Sequence, residues 1–276
     1  LFILLIFSFA SQAWAQEREI TLTLGAYATP REAYRRIIPL FQKAWQEKTG
    51  QRLQFKESYV GSGAQSRAIA GGLEADVAAL ALDLDLDRLA GEGLITHDWR
   101  AKPFNGIVTT SLVVIVFREG NPLGIRDWAD LVGGKEVEVL APDPKASGGA
   151  MWNVMAAYGA AKRGRVGGYP EGEEGAKRFL ADLFRRVFVL DKSARDSIIN
   201  YERGVGDVLL TYENEAWVGK LAGKTYGYVI PSSTIRIENP VAVVDRYAEK
   251  HGVRPAAEAF VDFLWTKEAQ QVFAEL

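Results

Sequence analysis

The chain has 276 residues, 48% of them hydrophobic and 25% charged, which is enough for a packed core in one or two domains. Its formal net charge is −2 with no long run of one sign, which argues against a nucleic-acid surface and means that any bound anion must be drawn by local geometry. The absence of cysteine excludes disulfides, thiolate metal sites, cysteine nucleophiles and a lipid-modified cysteine, and the two histidines, His97 and His251, stand outside any metal-ligand spacing, so neither metal nor cofactor is expected.

Residues 1–15 read as the later part of a secretory signal peptide: an apolar run from Leu1 to Phe9, then Ala13-Trp14-Ala15 as an A-x-A cleavage site, so the mature chain is expected to begin near Gln16. No later apolar run is long enough to cross a bilayer. Glu19 to Ala26 alternates as a strand. Thr29-Pro30-Arg31-Glu32 has the pattern of a capping box, opening a helix with Tyr34, Ile37, Ile38, Phe41 and Trp45 on one face, a kink at Pro39 and an end at Gly50. Leu53 to Ser58 is a strand, Gly61-Ser62-Gly63 opens a helix ending near Gly71-Gly72, and Val77 to Leu82 is an apolar strand. Asp83, Asp85 and Asp87 lack the glycine and distal glutamate of a calcium loop and read as a solvated helix start.

Leu112 to Phe117 and Val137 to Ala141 are strands, Pro142-Asp143-Pro144 is a turn, and Ser147-Gly148-Gly149 opens a helix. A charged, Gly-rich loop runs from Lys162 to Glu174, followed by a helix over Gly175 to Phe184, a strand at Val187 to Leu190 and a helix from Ser193 to Gly204. Asp207 to Tyr212 is a strand, Glu213 and Glu215 begin a helix, Val241 to Val244 is a strand, and the last helices start near Pro255 and Lys267. Trp45, Trp128 and Trp152 fall at apolar helical positions and are expected in the core. Strands alternating with helices predict an α/β fold with mainly parallel sheets.

One unit recurs: a strand, a short loop, then a helix N-terminus. It is found at Ala28-Thr29, at Ser62, at Ser147-Gly148-Gly149 and at Ser193-Ala194. Helix starts leave backbone N–H groups unpaired at the positive end of the helix dipole, so each is a ready anion site. A single such loop is as well explained by capping alone. Neither a dinucleotide fingerprint nor a P-loop is present.

Six segments fall in order: Val60-Gly61-Ser62-Gly63-Ala64-Gln65, Glu74-Ala75-Asp76-Val77, Gly120-Asn121-Pro122, Pro142 to Asn153, Asp191-Lys192-Ser193-Ala194-Arg195, and Gly206 to Glu215. With them the chain, from about Ile20 onward, resembles the periplasmic sulfate- and thiosulfate-binding proteins of ABC importers. The resemblance implies a type II periplasmic binding protein: an α/β fold of two lobes, each a mainly parallel sheet flanked by helices, joined by two crossover strands with the ligand between them. The expected lobes are 17–111 with 236–276, and 112–235. It also implies a non-enzymatic, monomeric periplasmic protein that captures sulfate or thiosulfate and docks on the transmembrane subunits of an ABC transporter.

Carried over by position, the ligand-binding residues are Ala28, Ser62, Ser147, Gly148, Gly149, Ala194 and Tyr212, with Thr29, Arg195 and Asp196 as supporting or selectivity residues. Ser62 and Ser147 would donate hydroxyls, Ala28, Ser147, Gly148, Gly149 and Ala194 backbone N–H groups, and no cation would touch the ligand. The family carries Asp at Ala28, Trp at Tyr212 and Gly at Asp196. A Tyr hydroxyl can accept as well as donate, and a carboxylate at Asp196 would repel sulfate yet could accept a hydrogen bond from a protonated phosphate oxygen. Phosphate, molybdate and thiosulfate therefore stand as alternative ligands. A secreted hydrolase with Ser62 or Ser147 as nucleophile is the alternative from another class, and it needs a nearby base.

Overall fold

The computed structural model describes residues 19–134 and 136–276, so the expected signal segment at residues 1–15 lies outside the described residues. The elements in chain order are β1 (Glu19–Tyr27), α1 (Arg31–Thr49), β2 (Arg52–Val60), α2 (Ser62–Ala70), β3 (Val77–Ala79), α3 (Asp83–Gly91), β4 (Ile107–Phe117), β5 (Val139–Pro142), α4 (Gly148–Lys162), α5 (Glu173–Arg186), β6 (Val187–Asp191), α6 (Ala194–Glu202), β7 (Val208–Tyr212), α7 (Glu213–Leu221), β8 (Gly227–Val229), β9 (Arg236–Val243), α8 (Asp245–Lys250), α9 (Arg254–Phe263) and α10 (Lys267–Glu275). Among the described residues no helix is long and apolar enough to cross a membrane.

The strand order is β2-β1-β3-β9-β4-β7-β5-β6, with β8 beside β4. Strands β2, β1 and β3 run parallel, as do β6, β5 and β7. Strands β4 and β9 join the two parallel sets. The first part of β4 pairs antiparallel with Arg236–Pro240 of β9, and its second part pairs with β7 and β8. The end of β9 pairs with β3. Two long strands therefore cross between two α/β lobes.

The apolar side chains divide in the same way. Leu22, Leu24, Ile37, Phe41, Val77, Val241 and Phe260 pack in one lobe, with Ile69, Leu80, Leu86 and Val244 on the other face of that sheet. Val113, Ile115, Trp128, Val139, Phe179 and Leu210 pack in the other lobe, opposite Val114, Leu140, Tyr201 and Leu209. Tyr27 and Ala81, from the C-terminal ends of β1 and β3, reach into the second lobe's cluster, so the ends of both parallel sets face each other. Trp45 and Trp128 are core residues as expected, whereas Trp152 is half-buried.

Two differences from the sequence reading have physical causes. Strands β4 and β9 each begin about five residues earlier than apolar runs indicate, because Thr109, Thr110, Glu238 and Asn239 pair with each other rather than with a core. The capping box at Thr29–Glu32 does not form: Pro30 holds the cap position with no side-chain cap, and Glu32 is drawn instead to Arg195 of the other lobe.

Candidate functional site

Each N-terminus at the cleft is built by a local rule. The Ser147 hydroxyl oxygen caps α4 by accepting from the Ala150 amide at 3.3 Å, and the Ser193 hydroxyl oxygen caps α6 by accepting from the Asp196 amide at 3.1 Å. The cap occupies the third amide of the turn, which leaves the amides of Gly148, Gly149 and Ala194 at the first positions without a partner inside their helices. Helix α2 has no side-chain cap; its Ala64 amide instead donates to the Ala146 carbonyl across the cleft at 3.0 Å.

These ends enclose one small cavity between the lobes, lined by Tyr27, Ala28, Thr29, Gly61, Ser62, Ala81, Ser147, Gly149, Ser193, Ala194 and Tyr212. None of these side chains is charged. Six of the ten expected site residues, Ala28, Thr29, Ser62, Ser147, Ala194 and Tyr212, are buried side chains on its wall, and Gly149 joins them. Gly148 stands just off the wall, where an added Cβ would lie 2.8 Å from the Ala81 Cβ and 3.0 Å from the Ser62 Cβ. A larger concavity, of about 430 Å³, lies at the crossover strands around Phe104, Thr109, Arg236 and Gln270, away from every helix start at the cleft.

The donors are not all free. The Ser147 amide donates to the Asp143 carbonyl at 2.8 Å, which corrects the expectation that it faces the ligand and leaves that residue its hydroxyl proton. The Ser62 hydroxyl oxygen accepts from the Ala81 amide at 2.8 Å and donates to Asp85 at 2.6 Å. Asp85 is therefore not part of a solvated helix start: it is buried beneath Ser62, with Arg88 at 3.2 Å from its other oxygen. Burial pushes its carboxyl above the usual range, against the pull of the Ser62 hydroxyl, Arg88 and Arg67. Asp83 and Asp87 do stay at the surface, Asp87 paired with Arg100.

Tyr212 ends β7 with its ring against Tyr27, centroids 6.2 Å apart. It is 1% exposed, and its hydroxyl has no partner at hydrogen-bond distance and angle. Burial holds that phenol well above its ordinary pKa, partly offset by the nearby Asn239 amide, so it is a neutral donor. A buried hydroxyl proton on the wall of a cavity is available to an acceptor that enters it.

Arg195 and Asp196 lie behind the wall. Arg195 donates twice to Glu32, at 2.9 and 2.7 Å, to the Thr29 carbonyl at 3.1 Å and to Glu215 at 3.2 Å. Burial raises the Glu215 carboxyl, while Arg195 and the Thr29 hydroxyl draw it back. Asp196 is exposed and accepts the Ser193 hydroxyl at 2.7 Å, so its carboxylate turns toward the cap rather than the cavity.

The sequence reading missed Tyr27, Ala81 and Asp85 as site residues, and placed Ser193 at a helix start without naming it among the ligand's neighbours. Tyr27 precedes Ala28 at a strand end, so position could have flagged it. Asp85 carried no such signal. Trp152, read as core, crosses the cleft: its indole N–H donates to the Ala81 carbonyl at 2.8 Å. Neither histidine is at the cavity, since His97 pairs with Asp245 and His251 with Asp76 and Glu74.

Comparison with known proteins agrees with this geometry. The sequence pattern of the family described as "Bacterial extracellular solute-binding protein" matches residues 22–275. The sulfate-binding protein of Synechococcus elongatus is 45% identical over 96% of this chain and 75% of its own length. The thiosulfate-binding protein of Pseudomonas aeruginosa is 37% identical over 90% of this chain and 75% of its own. The solved structure of the sulfate-binding protein SubI from Mycobacterium tuberculosis superposes with a TM-score of 0.83 at 36% identity, covering 93% of this chain and 85% of that one. These relatives are named as binding proteins, not enzymes, and the architecture is that of the type II periplasmic binding proteins.

Proposed function

The chain belongs to the bacterial extracellular solute-binding protein family, and on that premise we propose that it captures sulfate between its lobes and delivers it to the transmembrane subunits of an ABC transporter. The observation that carries this reading is the buried, uncharged cavity walled by helix N-termini and hydroxyls, with the Tyr212 hydroxyl unpartnered on it. We assign the ligand's partners to the amides of Ala28, Gly148, Gly149 and Ala194 and the hydroxyls of Ser62, Ser147 and Tyr212. Hydrogen bonds to a charged group contribute roughly 1.5–3 kcal/mol each. At the upper end of that range seven such bonds reach roughly 20 kcal/mol, which covers the ~8 kcal/mol of a micromolar complex after an association cost of about 10 kcal/mol. We place the lobes at 17–111 with 236–276 and at 112–235, the protein as a monomer in the periplasm, and a cleaved signal peptide in residues 1–15.

Thiosulfate is the second reading, supported by the Pseudomonas aeruginosa relative. A ligand that binds only the folded state raises its melting temperature, so a thermal-shift panel of sulfate, thiosulfate, phosphate and molybdate, followed by competition calorimetry, decides. Sulfate or thiosulfate is expected to give the largest shift. Phosphate binding more tightly than both at neutral pH would overturn the assignment, and no shift with any oxyanion would overturn the class.

A further inference from the structure

The strand path has the crossover strands β9 and β4 at its middle and a free edge at each end, β2 in one lobe and β6 in the other. The C-terminal ends of those edges meet across the cleft. Gly61, directly after β2, lies against the carbonyls of Ala146 and of Lys192, and Lys192 directly follows β6.

The two edges are built differently. A free edge pairs with other chains unless charge or a cover guards it. Strand β2 is guarded, with Arg52, Lys56 and Glu57 exposed along it. Strand β6 has no such guard. Its run Val187-Phe188-Val189-Leu190 carries no charge before the buried Asp191, and among the described residues it pairs only with β5. Phe188 is 63% exposed and Leu190 50%. Phe184, also exposed, borders a groove with Val154, Leu180 and Val187 between α4, α5 and this edge. Val60, at the end of β2, carries the exposed apolar surface onto the other lobe. Contiguous apolar surface of this kind on a folded protein marks an interaction site.

Cations edge the junction. Arg67 on α2, Lys145 beside Ala146, and Lys192 are exposed, and among the described residues none of the three is in an ion pair. The carboxylates of the same loops are turned to other groups: Asp143 to the Lys145 amide, Asp191 to the Asn200 side chain and Asp196 to the Ser193 hydroxyl.

We propose that the unguarded edge of β6, continued across the closed cleft by Val60 and edged by Arg67, Lys145 and Lys192, is the face on which the transmembrane subunits of the transporter dock. This rests on the transport reading above. An apolar centre with a polar rim is the anatomy of a specific interface, and a basic rim calls for an acidic one on the partner. The two halves of the face belong to different lobes and meet at the Gly61 contact. Only the closed form presents the face whole, as a partner that must sense bound ligand requires. A second copy of the chain would bring its own basic rim to the junction, where like charges oppose pairing.

The test uses the transporter of the same bacterium reconstituted in lipid nanodiscs, read as ATP hydrolysis stimulated by this protein loaded with sulfate. Phe188→Lys and Leu190→Lys are expected to bind sulfate within about twofold of the wild type in calorimetry. Each is expected to raise the concentration giving half-maximal stimulation by about tenfold, the scale of a lost interface anchor. Lys145→Glu combined with Lys192→Glu is expected to do the same at low salt and less at high salt. Val60→Lys tests the half of the face on the other lobe, and serves should the β6 variants not fold. Unchanged stimulation in these variants overturns the proposal and leaves the oxyanion reading standing. A wild type that dimerises in size-exclusion chromatography, and turns monomeric with Phe188→Lys, assigns the edge to a second copy and also overturns it. A wild type that binds sulfate without stimulating hydrolysis overturns the transport reading with it, and failure to bind any oxyanion overturns the oxyanion reading as well.

Discussion

The Tyr212 hydroxyl is buried, with the Asn239 amide near its oxygen and no acceptor taking its proton. A group in that position costs about 1–3 kcal/mol of desolvation until something bonds it. Tyr212→Phe removes the atom and keeps the ring that packs on Tyr27. Two opposite changes are expected: the ligand-free melting temperature holds or rises, and sulfate affinity falls by about tenfold to a hundredfold, the equivalent of a lost charged hydrogen bond. Thermal melts without sulfate and calorimetry with it would separate the two. A variant that loses stability and keeps its affinity would show that the hydroxyl supports the fold and not the ligand. The cavity glycine beside it is fixed by the same ring, since a Cβ on Gly149 would lie 2.6 Å from the Tyr212 Cε2. The local pattern of Ser and Gly before a helix was enough to find most of these positions. The unpartnered hydroxyl itself was not legible, because it depends on where β7 ends relative to the other lobe.

At the scale of elements, Arg195 joins three of them: it starts α6, pairs with Glu215 of α7 in its own lobe and reaches Glu32 of α1 in the other. The two carboxylates differ in depth. Glu215 is buried, and losing its partner leaves an uncompensated charge, so Arg195→Met is expected to destabilise the protein by about 3–5 kcal/mol in denaturant melts. Glu32 is partly exposed and bonds across the cleft, so Glu32→Gln is expected to leave the melt nearly unchanged and weaken sulfate binding by less than about fivefold, within the range of an exposed pair. A second charged joint ties the turn after α8 to the start of β3: His251 bonds Asp76 and Glu74, at 2.7 and 2.8 Å. Burial lowers the His251 pKa, but the two carboxylates outweigh it and the net shift is upward. A raised folded-state pKa gives stability that is complete below the ordinary histidine value of about 6.5 and is lost as pH rises through the raised value. The stability gap between the wild type and His251→Gln is therefore expected to be widest in acid and to narrow with rising pH. A gap that widens with pH would contradict this. Helices and apolar strands were legible because their signals are local. Asp85 and the Thr29–Glu32 box were misread because a partner distant in sequence, Ser62 in one case and Arg195 in the other, took over groups that local rules assign to a helix start.

For the whole molecule, the crossover strands are both the link between the lobes and the least legible part of the sequence. Their polar residues pair with each other between the lobes, so no core imposes an alternating pattern on them. What the lobes bring together is set by backbone as much as by side chains. The α2 amide of Ala64 bonds Ala146, and the Trp152 indole bonds Ala81, each across the cleft. Gly61 is the closest point: a Cβ there would lie 2.5 Å from the Lys192 carbonyl oxygen and 2.6 Å from that of Ala146, both in the opposite lobe. With φ −60° its backbone suits any residue, so the demand for glycine at this position comes from closure alone. Gly61→Ala is therefore expected to leave the open protein as stable as the wild type and to hold the lobes apart when ligand is added. Small-angle scattering should show the wild type contracting on addition of sulfate and the variant failing to reach the same radius. Affinity should fall with the lost closure, because a ligand shifts a two-state equilibrium only by its differential affinity for the closed form. A variant that contracts as the wild type does would mean that the carbonyls move aside at little cost, and that closure is set by the Trp152 and Arg195 contacts instead.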